Sequence, residues 1–432
     1  MNVSDGNGAG AGLGRDRAVG GPGTFGAIAI TGIGLVTPAG TGTEETWTRV
    51  CEGRGTAAED PALSGLPVSF SCRVRGFDTR QHVPGARPWW HDRFTQFALA
   101  AAHEAVADAQ LDPAAWDGTR VAVILGSAAG GIETYDAQYR KLLETGPRAV
   151  SPLTLPAYLP NMAAGQLAIA LRARGPVLHT ATACASGATA VALAGLMLRT
   201  DTCDIAIAGG TDTMVTPMCA TAFAKMGALS RRHGSPAAAS RPFDAARDGF
   251  VLAEGAGVLV MERVADAAAR RAPVHARLAG YGVSADAYHP VAPDPAGHGL
   301  QLAMDQALRI ADATPADVDH INAHGTSTPL NDRTEAAALH RIFGPDPPTV
   351  TAPKGVLGHT MGAAGAIEAA LTALTVKHQL VPPTANFHQT DPESSPLNLV
   401  TGAPRRQQIH LALSNSLGFG GHNAVLAFRP AA

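Results

Sequence analysis

The sequence predicts an α/β fold built from two similar halves, and three observations support this prediction. Short apolar runs typical of buried strands alternate with longer segments of helical periodicity. The order of strand, glycine-flanked polar loop and helix occurs in both halves of the chain. Apolar residues make up 46% of the chain and charged residues only 16%, which indicates a large interior or a large subunit interface. We therefore expect the chemistry to lie where the two halves meet.

Candidate strands and helices alternate through the first half. A short buried strand, AIAITGIGLV, begins at Ala27, and a helix with an apolar stripe is predicted over Arg93–Leu111. Arg120–Gly126 is a β-branched run typical of a strand buried on both faces. Pro176–Thr200 is predicted as a strand, a sharp turn and a helix, and Ile205–Gly210 as the next strand. This order is that of a parallel βαβ unit.

The second half repeats the pattern. HARLAGYGV is a candidate strand, Gly299–Ala311 a helix, HINAHGT the end of a strand, and Ala363–Gln379 a second helix. The last apolar segment, IHLALSNSLGFGGHNAVLAF, is predicted to form two strands around a glycine turn. We place the seam between the halves in the polar segment Glu262–Val274, which gives an N-terminal half over 26–270 and a C-terminal half over 271–432.

Composition excludes several classes of partner and location. Residues 1–25 are rich in glycine, lack the apolar stretch of a secretory signal and are expected to form a flexible tail. The longest strongly apolar stretch, near Val191–Leu198, is far shorter than the ~20 residues that cross a bilayer. The formal charge of −3 provides no global basic field for nucleic acid or an anionic membrane. An acidic partner would need a local basic patch.

The cysteines are scattered and form no metal-binding pattern. None stands in CxxC or among histidines at the spacing of metal ligands, so we expect no metal site and a cytoplasmic protein with reduced thiols. The five are Cys51, Cys72, Cys184, Cys203 and Cys219.

Cys184 occupies the sharp turn of TATACASG, between a predicted strand and a predicted helix. Unpaired backbone N–H groups and the positive end of the helix dipole at such a place favour thiolate over thiol. Cys184 is therefore a candidate nucleophile. The alternative is a small buried core residue, which is the usual role of an intracellular cysteine.

Two histidines and a lysine follow buried segments of the second half. His324 ends an apolar strand in INAHGTSTPLNDRTEA, and Lys354 and His359 lie in the glycine-rich loop of APKGVLGHTMGAAG. Lysine is rare in this chain, which favours a specific use of the Lys354 ammonium over a solvated loop position. Either histidine alone would more often be structural than catalytic. The loop is not a P-loop, because the lysine precedes the glycines and no GK[ST] follows.

Four segments taken together resemble the active-site signatures of β-ketoacyl-[acyl carrier protein] synthases, the elongating ketosynthases of fatty acid and type II polyketide systems. They are TACASG, NAHGTSTPLND, KGVLGHTMGAAG and NSLGFGG. RPFDAARDGFVLAEGAG and SPLTLPAYLPNMAAG resemble further segments of that family in the same order, and the match runs from about Ala27 to Phe428. The resemblance implies an acyltransferase with a thiolase-like duplicated fold, layered αβαβα, with two mixed sheets.

The resemblance also implies roles for the reactive residues. Cys184 would accept the acyl group, and His324 and His359 would hold the carbonyl of a malonyl thioester while it decarboxylates and condenses. Lys354 would lie beside them with Glu335 as its ionic partner, and Asp332 would be close by.

Further roles concern the groups that would bind the substrate. The backbone N–H groups of Cys184 and Phe419 would form the oxyanion hole, and the Phe419 ring would be a gate, with Gly420 next to the substrate. Thr326 and Thr328 match positions that contact the phosphopantetheine arm. No bound cofactor is implied, because the arm arrives on the acyl carrier protein, and the enzyme would be a homodimer or a heterodimer with a chain-length-factor subunit.

Two departures from the family pattern are visible. Ala129 stands where fatty-acid elongating relatives usually have a branched residue, which predicts a deeper acyl pocket that tolerates longer or stiffer chains such as polyenes. Trp89 and Trp90 stand in ARPWWHDR, a segment that presents basic residues to the carrier protein in relatives. Lys225, Arg231 and Arg232 remain candidate contacts for an acidic carrier protein, although each could be ordinary surface charge.

Rival functions share this fold. A chain-length factor lacks the cysteine nucleophile, so Cys184 argues against it. A thiolase or a priming synthase pairs cysteine with other histidine, asparagine or cysteine patterns than NAHGTSTP with KGVLGHTMG. A scaffold that only binds carrier protein would tolerate loss of the site.

Overall fold

The structure is a computed structural model that describes residues 27–431, so the predicted tail over 1–25 lies outside the described residues. The strands are β1 Ile28–Thr37, β2 Gly40–Thr41, β3 Ala58–Glu59, β4 Phe70–Ser71, β5 Val121–Gly126, β6 Val177–Thr180, β7 Ile205–Asp212, β8 Gly255–Arg263, β9 Ala276–Ala285, β10 His320–Asn322, β11 Thr349–Thr351, β12 Leu380–Val381, β13 Asn398–Leu399, β14 Arg405–Arg406, β15 Ala412–Gly418 and β16 His422–Arg429.

The long helices agree closely with the segments for which the sequence predicts helical periodicity. They are α1 Thr43–Glu52, α2 Thr79–His82, α3 Arg93–Asp108, α4 Ile132–Thr145, α5 Thr154–Tyr158, α6 Met162–Ala170, α7 Ser186–Arg199, α8 Pro217–Lys225, α9 Val264–Ala269, α10 His298–Ile310, α11 Pro329–Phe343, α12 Lys354–Leu357 and α13 Ala364–His378. Among the described residues, no helix is both long enough and apolar enough to cross a membrane.

The two halves contain the same sheet. In the first half the strand order is β1-β8-β7-β5-β6, and in the second it is β9-β16-β15-β10-β11, extended by β13. In each half the first two contacts of this order are antiparallel and the next two are parallel. The predicted duplicated α/β fold is therefore confirmed.

The two predicted mixed sheets are joined to each other. Strands β1 and β9, which open the two halves, lie at the inner edges of the half-sheets and pair over three residues, Ile28 with Leu278, Ala29 with Arg277 and Ile30 with Ala276. The hydrogen-bonded path therefore runs from β13 to β6, and with β2, which pairs with β1, the sheet has 12 strands in the described chain. The exact boundary between residues 270 and 271 stays a prediction.

Alternating faces of the strands create the layers. In β8, Leu259 and Met261 face a central core with α7 and α13, whereas Val258 and Val260 face an outer core with α3 and α6. A third core lies between the half-sheet of the second half and the helices α10 and α11. The result is the αβαβα layering, with α7 and α13 at the centre.

Glycines let the two central helices touch. A Cβ at Gly187 would lie 2.7 Å from the backbone N of Ala366, and one at Gly365 would lie 2.7 Å from the backbone N of Ala188. Because real Cβ atoms do not approach backbone so closely, any other residue at either position would force the two helices apart. The N-termini of α7 and α13, and the turns before them, therefore meet in the middle of the molecule.

Candidate active site

Cys184 lies in the turn Ala183–Ala185, which connects β6 to α7. The Ser186 hydroxyl fixes this turn by donating to the Ala183 carbonyl at 2.6 Å and accepting from the Thr182 backbone N–H at 2.9 Å. The cysteine is 8% exposed and forms part of the wall of a cavity. Its sulfur is 3.2 Å from His359 Nε2. The nucleophile candidate is thus buried but reachable.

Burial outweighs the electrostatic help that the sequence suggested for a thiolate. It raises the pKa of the Cys184 thiol to about 11, although the Lys354 charge and hydrogen bonds from the backbone N–H groups of Phe419 and Cys184 oppose the rise. The backbone donors at the turn do lower the pKa, but burial raises it by more, because the sulfur loses more hydration than the nearby donors replace. The resting group is a thiol.

The His359 ring is held so that one nitrogen faces the sulfur. The Met361 backbone N–H donates to Nδ1 at 3.3 Å, and the His359 backbone is tied to Val251 and Ala253. Burial, with the Lys354 charge, lowers the pKa of His359 well below its usual value, so the ring is neutral. Because Nδ1 accepts, Nε2 carries the proton and is a donor.

The His324 ring has the same arrangement with a different donor. Lys354 Nζ lies 3.3 Å from His324 Nδ1, and an ammonium can only donate. Burial, then Lys354 and His359, lower the pKa of His324 well below its usual value. The two imidazole rings are 5.5 Å apart at 84° and both line the cavity. The site therefore contains two neutral rings whose Nε2–H groups are available as donors.

Lys354 forms its ion pair with Glu368, not with Glu335 as the family resemblance implied. Its Nζ contacts Glu368 Oε1 in the first turn and a half of α13. Glu335 instead accepts the backbone N–H groups of His324 and Gly325, each at 2.8 Å. Those two bonds occupy its oxygens and fix the backbone that carries His324. Burial raises the pKa of Glu368 to about 7, against the lowering effect of the lysine.

Glu368 and Asp212 are two site residues that sequence reasoning missed. Glu368 is the acid inside the small-residue helix that follows the Lys354 motif, which is a signal the sequence did offer. Asp212, at the end of β7, accepts the Ser127 hydroxyl at 2.7 Å and the backbone N–H groups of Ala128 at 2.8 Å and Gly362 at 2.6 Å. It therefore ties a loop of the first half to the loop after His359.

The turn between β15 and β16 brings Phe419 to the cysteine. Gly420 and Gly421 have φ of 85° and 74°, a conformation that favours glycine. A Cβ at Gly418 would lie 2.5 Å from the Thr182 carbonyl oxygen, so the missing side chain lets the turn approach the cysteine turn. The Phe419 ring lines the cavity 6.4 Å from the Phe223 ring. Gly420 as a substrate contact stays a prediction.

The cavity has a volume of about 480 Å³. Thr326 and Thr328 line it with their hydroxyl oxygens 2.9 Å apart. Asp332 is buried outside the lining, where it accepts the Phe243 and Ser327 backbone N–H groups. Within residues 27–431, no three His, Cys, Asp or Glu side chains are grouped as a metal ion would require.

The remaining predicted contacts lie outside the lining of the cavity. Ala128 lines it, whereas Ala129 is the half-buried next residue, so a contribution of Ala129 to the acyl pocket stays a prediction. Trp89 and Trp90 are exposed on a short turn, Pro88–Trp90, where Arg87 lies over the Trp90 ring. Lys225 is exposed at the end of α8, next to a lining residue, Met226.

Comparison with known proteins assigns the family. The family model "Beta-ketoacyl synthase, N-terminal domain" matches residues 26–267, and "Beta-ketoacyl synthase, C-terminal domain" matches residues 275–388. The chain is 40% identical over 406 residues to 3-oxoacyl-[acyl-carrier-protein] synthase 2 of Staphylococcus aureus (strain COL), covering 93% of this chain and 98% of the relative.

Solved structures of ketosynthases are also similar. The ishigamide ketosynthase/chain length factor has a TM-score of 0.89 at 33% identity and covers 94% of this chain and 100% of that one. AntDE:AntF, a type II PKS acyl-carrier protein in complex with its ketosynthase bound to the hexaketide, has a TM-score of 0.86 at 30% identity, with coverage of 94% and 100%. The chain belongs to the β-ketoacyl synthase family and is an elongating condensing enzyme of the acyltransferase class.

Proposed function

We propose that this chain takes an acyl group from an acyl carrier protein onto Cys184 and condenses it with malonyl-[acyl carrier protein]. One observation supports the proposal. The Cys184 sulfur and the imidazole rings of His324 and His359 lie close together in the wall of one cavity. Cys184 Sγ is 3.2 Å from His359 Nε2, and the His324 ring is 5.5 Å from the His359 ring.

The first step is a thioester exchange. The Cys184 sulfur attacks the carrier-bound acyl carbonyl, the bond to the pantetheine sulfur breaks, and the thiol proton leaves with that sulfur. The backbone N–H groups of Cys184 and Phe419, which already point at Sγ, are placed to donate to the oxyanion of the intermediate. The His359 Nε2–H stabilises negative charge on the sulfur as it develops.

The second step forms the carbon–carbon bond. Malonyl thioester loses CO₂, and the electron pair of the broken bond becomes an enolate whose oxygen needs donors. The Nε2–H groups of His324 and His359 supply them. The enolate carbon then attacks the acyl carbonyl on Cys184, and the cysteine sulfur is the leaving group. No bound cofactor takes part in this scheme, because loss of CO₂ provides the driving force.

Lys354 acts through His324 as a positioning residue. Its ammonium donates to His324 Nδ1 and so fixes the tautomer in which Nε2 bears the proton. Glu368 holds the ammonium in place, and Glu335 holds the His324 backbone. Thr326 and Thr328 line the cavity and offer their hydroxyl groups to a pantetheine arm.

The surroundings of the cavity suit the proposed partners. Lys225, Arg231 and Arg232 lie near a lining segment and offer positive charge to an acidic carrier protein. The outer edge of β6 ends the sheet, and its Val177 and Leu178 side chains are exposed. We assign this edge to a second subunit, either another copy or a chain-length factor. Five free cysteines suit a reducing cytoplasm.

Mass spectrometry tests the proposal. Incubation with an acyl carrier protein that bears a saturated acyl group should add the acyl mass to Cys184, and malonyl carrier protein should then release CO₂ and a 3-oxoacyl product. Cys184→Ala should remove the adduct, whereas Cys219→Ala, a half-buried cysteine, should keep it. An adduct that forms on other residues, or none at all, contradicts the proposal. The same assay, repeated with carrier proteins and partner subunits of fatty acid and of type II polyketide systems, assigns the chain to the system whose proteins support turnover.

A further inference from the structure

A second contact between a lysine and a histidine lies away from the cavity. Lys377 Nζ is 2.9 Å from His275 Nδ1, and His275 Nε2 is 2.7 Å from Asp108 Oδ2. None of these three residues lines the cavity at Cys184. Asp108 ends α3, His275 comes directly before β9, and Lys377 is in the last turn of α13. The fold thus places an amine, an imidazole and a carboxyl group in successive contact.

The imidazole and the carboxyl group are fixed, whereas the amine is open to solvent. His275 is buried, and its backbone N–H donates to the Ile30 carbonyl at 2.9 Å, where β9 meets β1. Asp108 Oδ2 also accepts the Ile33 backbone N–H at 2.8 Å. Lys377 is exposed. A reactant in solution can therefore reach the amine while the imidazole behind it keeps its place.

The contacts determine where the protons lie. Because an ammonium can only donate, His275 Nδ1 accepts from Lys377, and the Nε2–H group faces Asp108. Burial raises the pKa of Asp108, but His275, the Ile33 N–H and Lys377 together lower it below its usual value, so the group is a carboxylate. A proton that moves from Lys377 to Nδ1 makes the ring cationic beside that carboxylate, which stabilises the new charge. His275 is therefore placed to act as a base for the amine.

Lys354 has the same contact with a histidine but a different environment. It is buried, and Glu368 forms an ion pair with its ammonium. Lys377 forms no ion pair with a carboxylate in the part of the chain that the structure describes. A nucleophile, a base within hydrogen-bond reach and a third group that orients the base are the arrangement that activates weak nucleophiles in proteins. Lys354 thus keeps its protons to serve His324, whereas Lys377 can give one up.

We propose that Lys377 is a modification site, which acyl thioesters acylate with His275 as the base. His275 Nδ1 takes one proton from the ammonium and releases it to solvent. The Nζ lone pair forms a bond to the thioester carbonyl carbon, the carbon–sulfur bond breaks, and the sulfur leaves as a thiol with a second proton from the nitrogen. The products are an amide on Lys377 and a free thiol. The site is separate from Cys184, so this inference does not depend on the proposed function.

Mass spectrometry compares Lys377 with other lysines of the same molecule. The protein is incubated with acetyl-coenzyme A or with an acetylated carrier protein, treated with hydroxylamine to remove thioesters, and digested, and acetylation is followed at each lysine. Lys141 and Lys225 are also exposed and serve as internal controls. With at least one of the two thioesters, we expect Lys377 to react about 10²-fold faster than either control, the lower end of what a positioned base contributes. Rates within a few-fold of the controls with both thioesters overturn the inference.

Two variants test the imidazole and the carboxylate. His275→Gln removes the base and should lower the Lys377 rate to that of the control lysines. Asp108→Asn keeps the size of the side chain but removes the charge that stabilises the cationic ring, so the rate should fall about 10-fold. His378→Gln is the matched control and should react like wild type, because His378 is exposed and stacks on Trp47. Unchanged rates in the first two variants, or an equal loss in the control, overturn the inference, and Asp108→Asn decides alone if His275→Gln does not fold.

Discussion

The turn before α7 and the turn before α13 share a backbone design but differ in chemistry. Both are short 3-10 turns, and each has one non-glycine residue with positive φ, Ala183 at 49° and Met361 at 52°. The first presents the Cys184 sulfur. The second turn follows Lys354 and His359, and α13 after it contains Glu368, the ion-pair partner of Lys354. Duplication of the fold has therefore produced two equivalent positions, and one holds the nucleophile while the other holds the groups that stabilise charge.

Burial acts on the two turns in opposite directions. It raises the pKa of Cys184 and lowers those of His324 and His359, so all three reacting groups are neutral at rest. Lys354 and Glu368 form their ion pair behind the histidines. Changes at the two turns should therefore have distinct effects on the two steps of the reaction.

Loss of the lysine should have the largest effect. Lys354→Met leaves Glu368 buried without its partner, so we expect a loss of about 3–5 kcal/mol in the free energy of unfolding. The double variant Lys354→Met/Glu368→Leu should recover most of that stability but remain inactive, because His324 Nδ1 has no donor. Urea unfolding and condensation assays measure both. Lys141→Met, an exposed lysine on α4, is the control. Full activity of the double variant would refute the positioning role.

Removing each imidazole should separate the two steps. His324→Ala should lower the condensation rate by about 10²–10³ and leave Cys184 acylation within a few-fold, because only the enolate uses that donor. His359→Ala should slow both steps, since its Nε2 is also 3.2 Å from the sulfur. Acylation is followed by intact mass and condensation by CO₂ release. His340→Ala, exposed on α11, is the control. Identical profiles for the first two variants would contradict the assignment.

The sequence predicted the long elements well and the site contacts unevenly. Periodicity located α3, α10 and α13 to within a few residues, because their apolar faces are local patterns. Cys184 and His359 are 175 positions apart, so only the family resemblance could bring them together. Glu335 and Glu368 are both acids near the lysine motif in the sequence. Only the folded structure shows which of them contacts Lys354 Nζ. Asp212 was missed because its donors come from positions 84 and 150 residues away.

The raised pKa of Asp212 predicts that the free energy of unfolding depends on pH. Burial raises its pKa from 3.8 to about 6, against four opposing hydrogen bonds. The folded state thus binds this proton more tightly than the unfolded state, so its stabilising contribution is complete below pH 3.8 and is lost as pH rises to about 6. The loss is of the order of 3 kcal/mol.

The variant Asp212→Asn has no such proton. The difference in unfolding free energy between wild type and variant should therefore fall by roughly that amount as pH rises from about 4 to about 7. Urea titrations at several pH values measure it. Asp332, whose pKa is also raised to about 6, remains in both proteins and cancels in the difference. Parallel curves would show that Asp212 keeps an ordinary pKa.

The smallest predicted effect tests the symmetry of the two turns directly. Gly187→Ala and Gly365→Ala each place a methyl group 2.7 Å from a backbone nitrogen of the opposite helix. Overpacking of this kind costs about 1–3 kcal/mol, and the gain in helix propensity offsets up to about 1 kcal/mol of it. We therefore expect two similar losses of about 1–2 kcal/mol in urea unfolding. Because each substitution separates the same pair of helices, the double variant should lose less than the sum of the single losses. Additive losses would mean that the two turns respond independently, and the Cys184 and His359 positions would then not be coupled through the helix crossing.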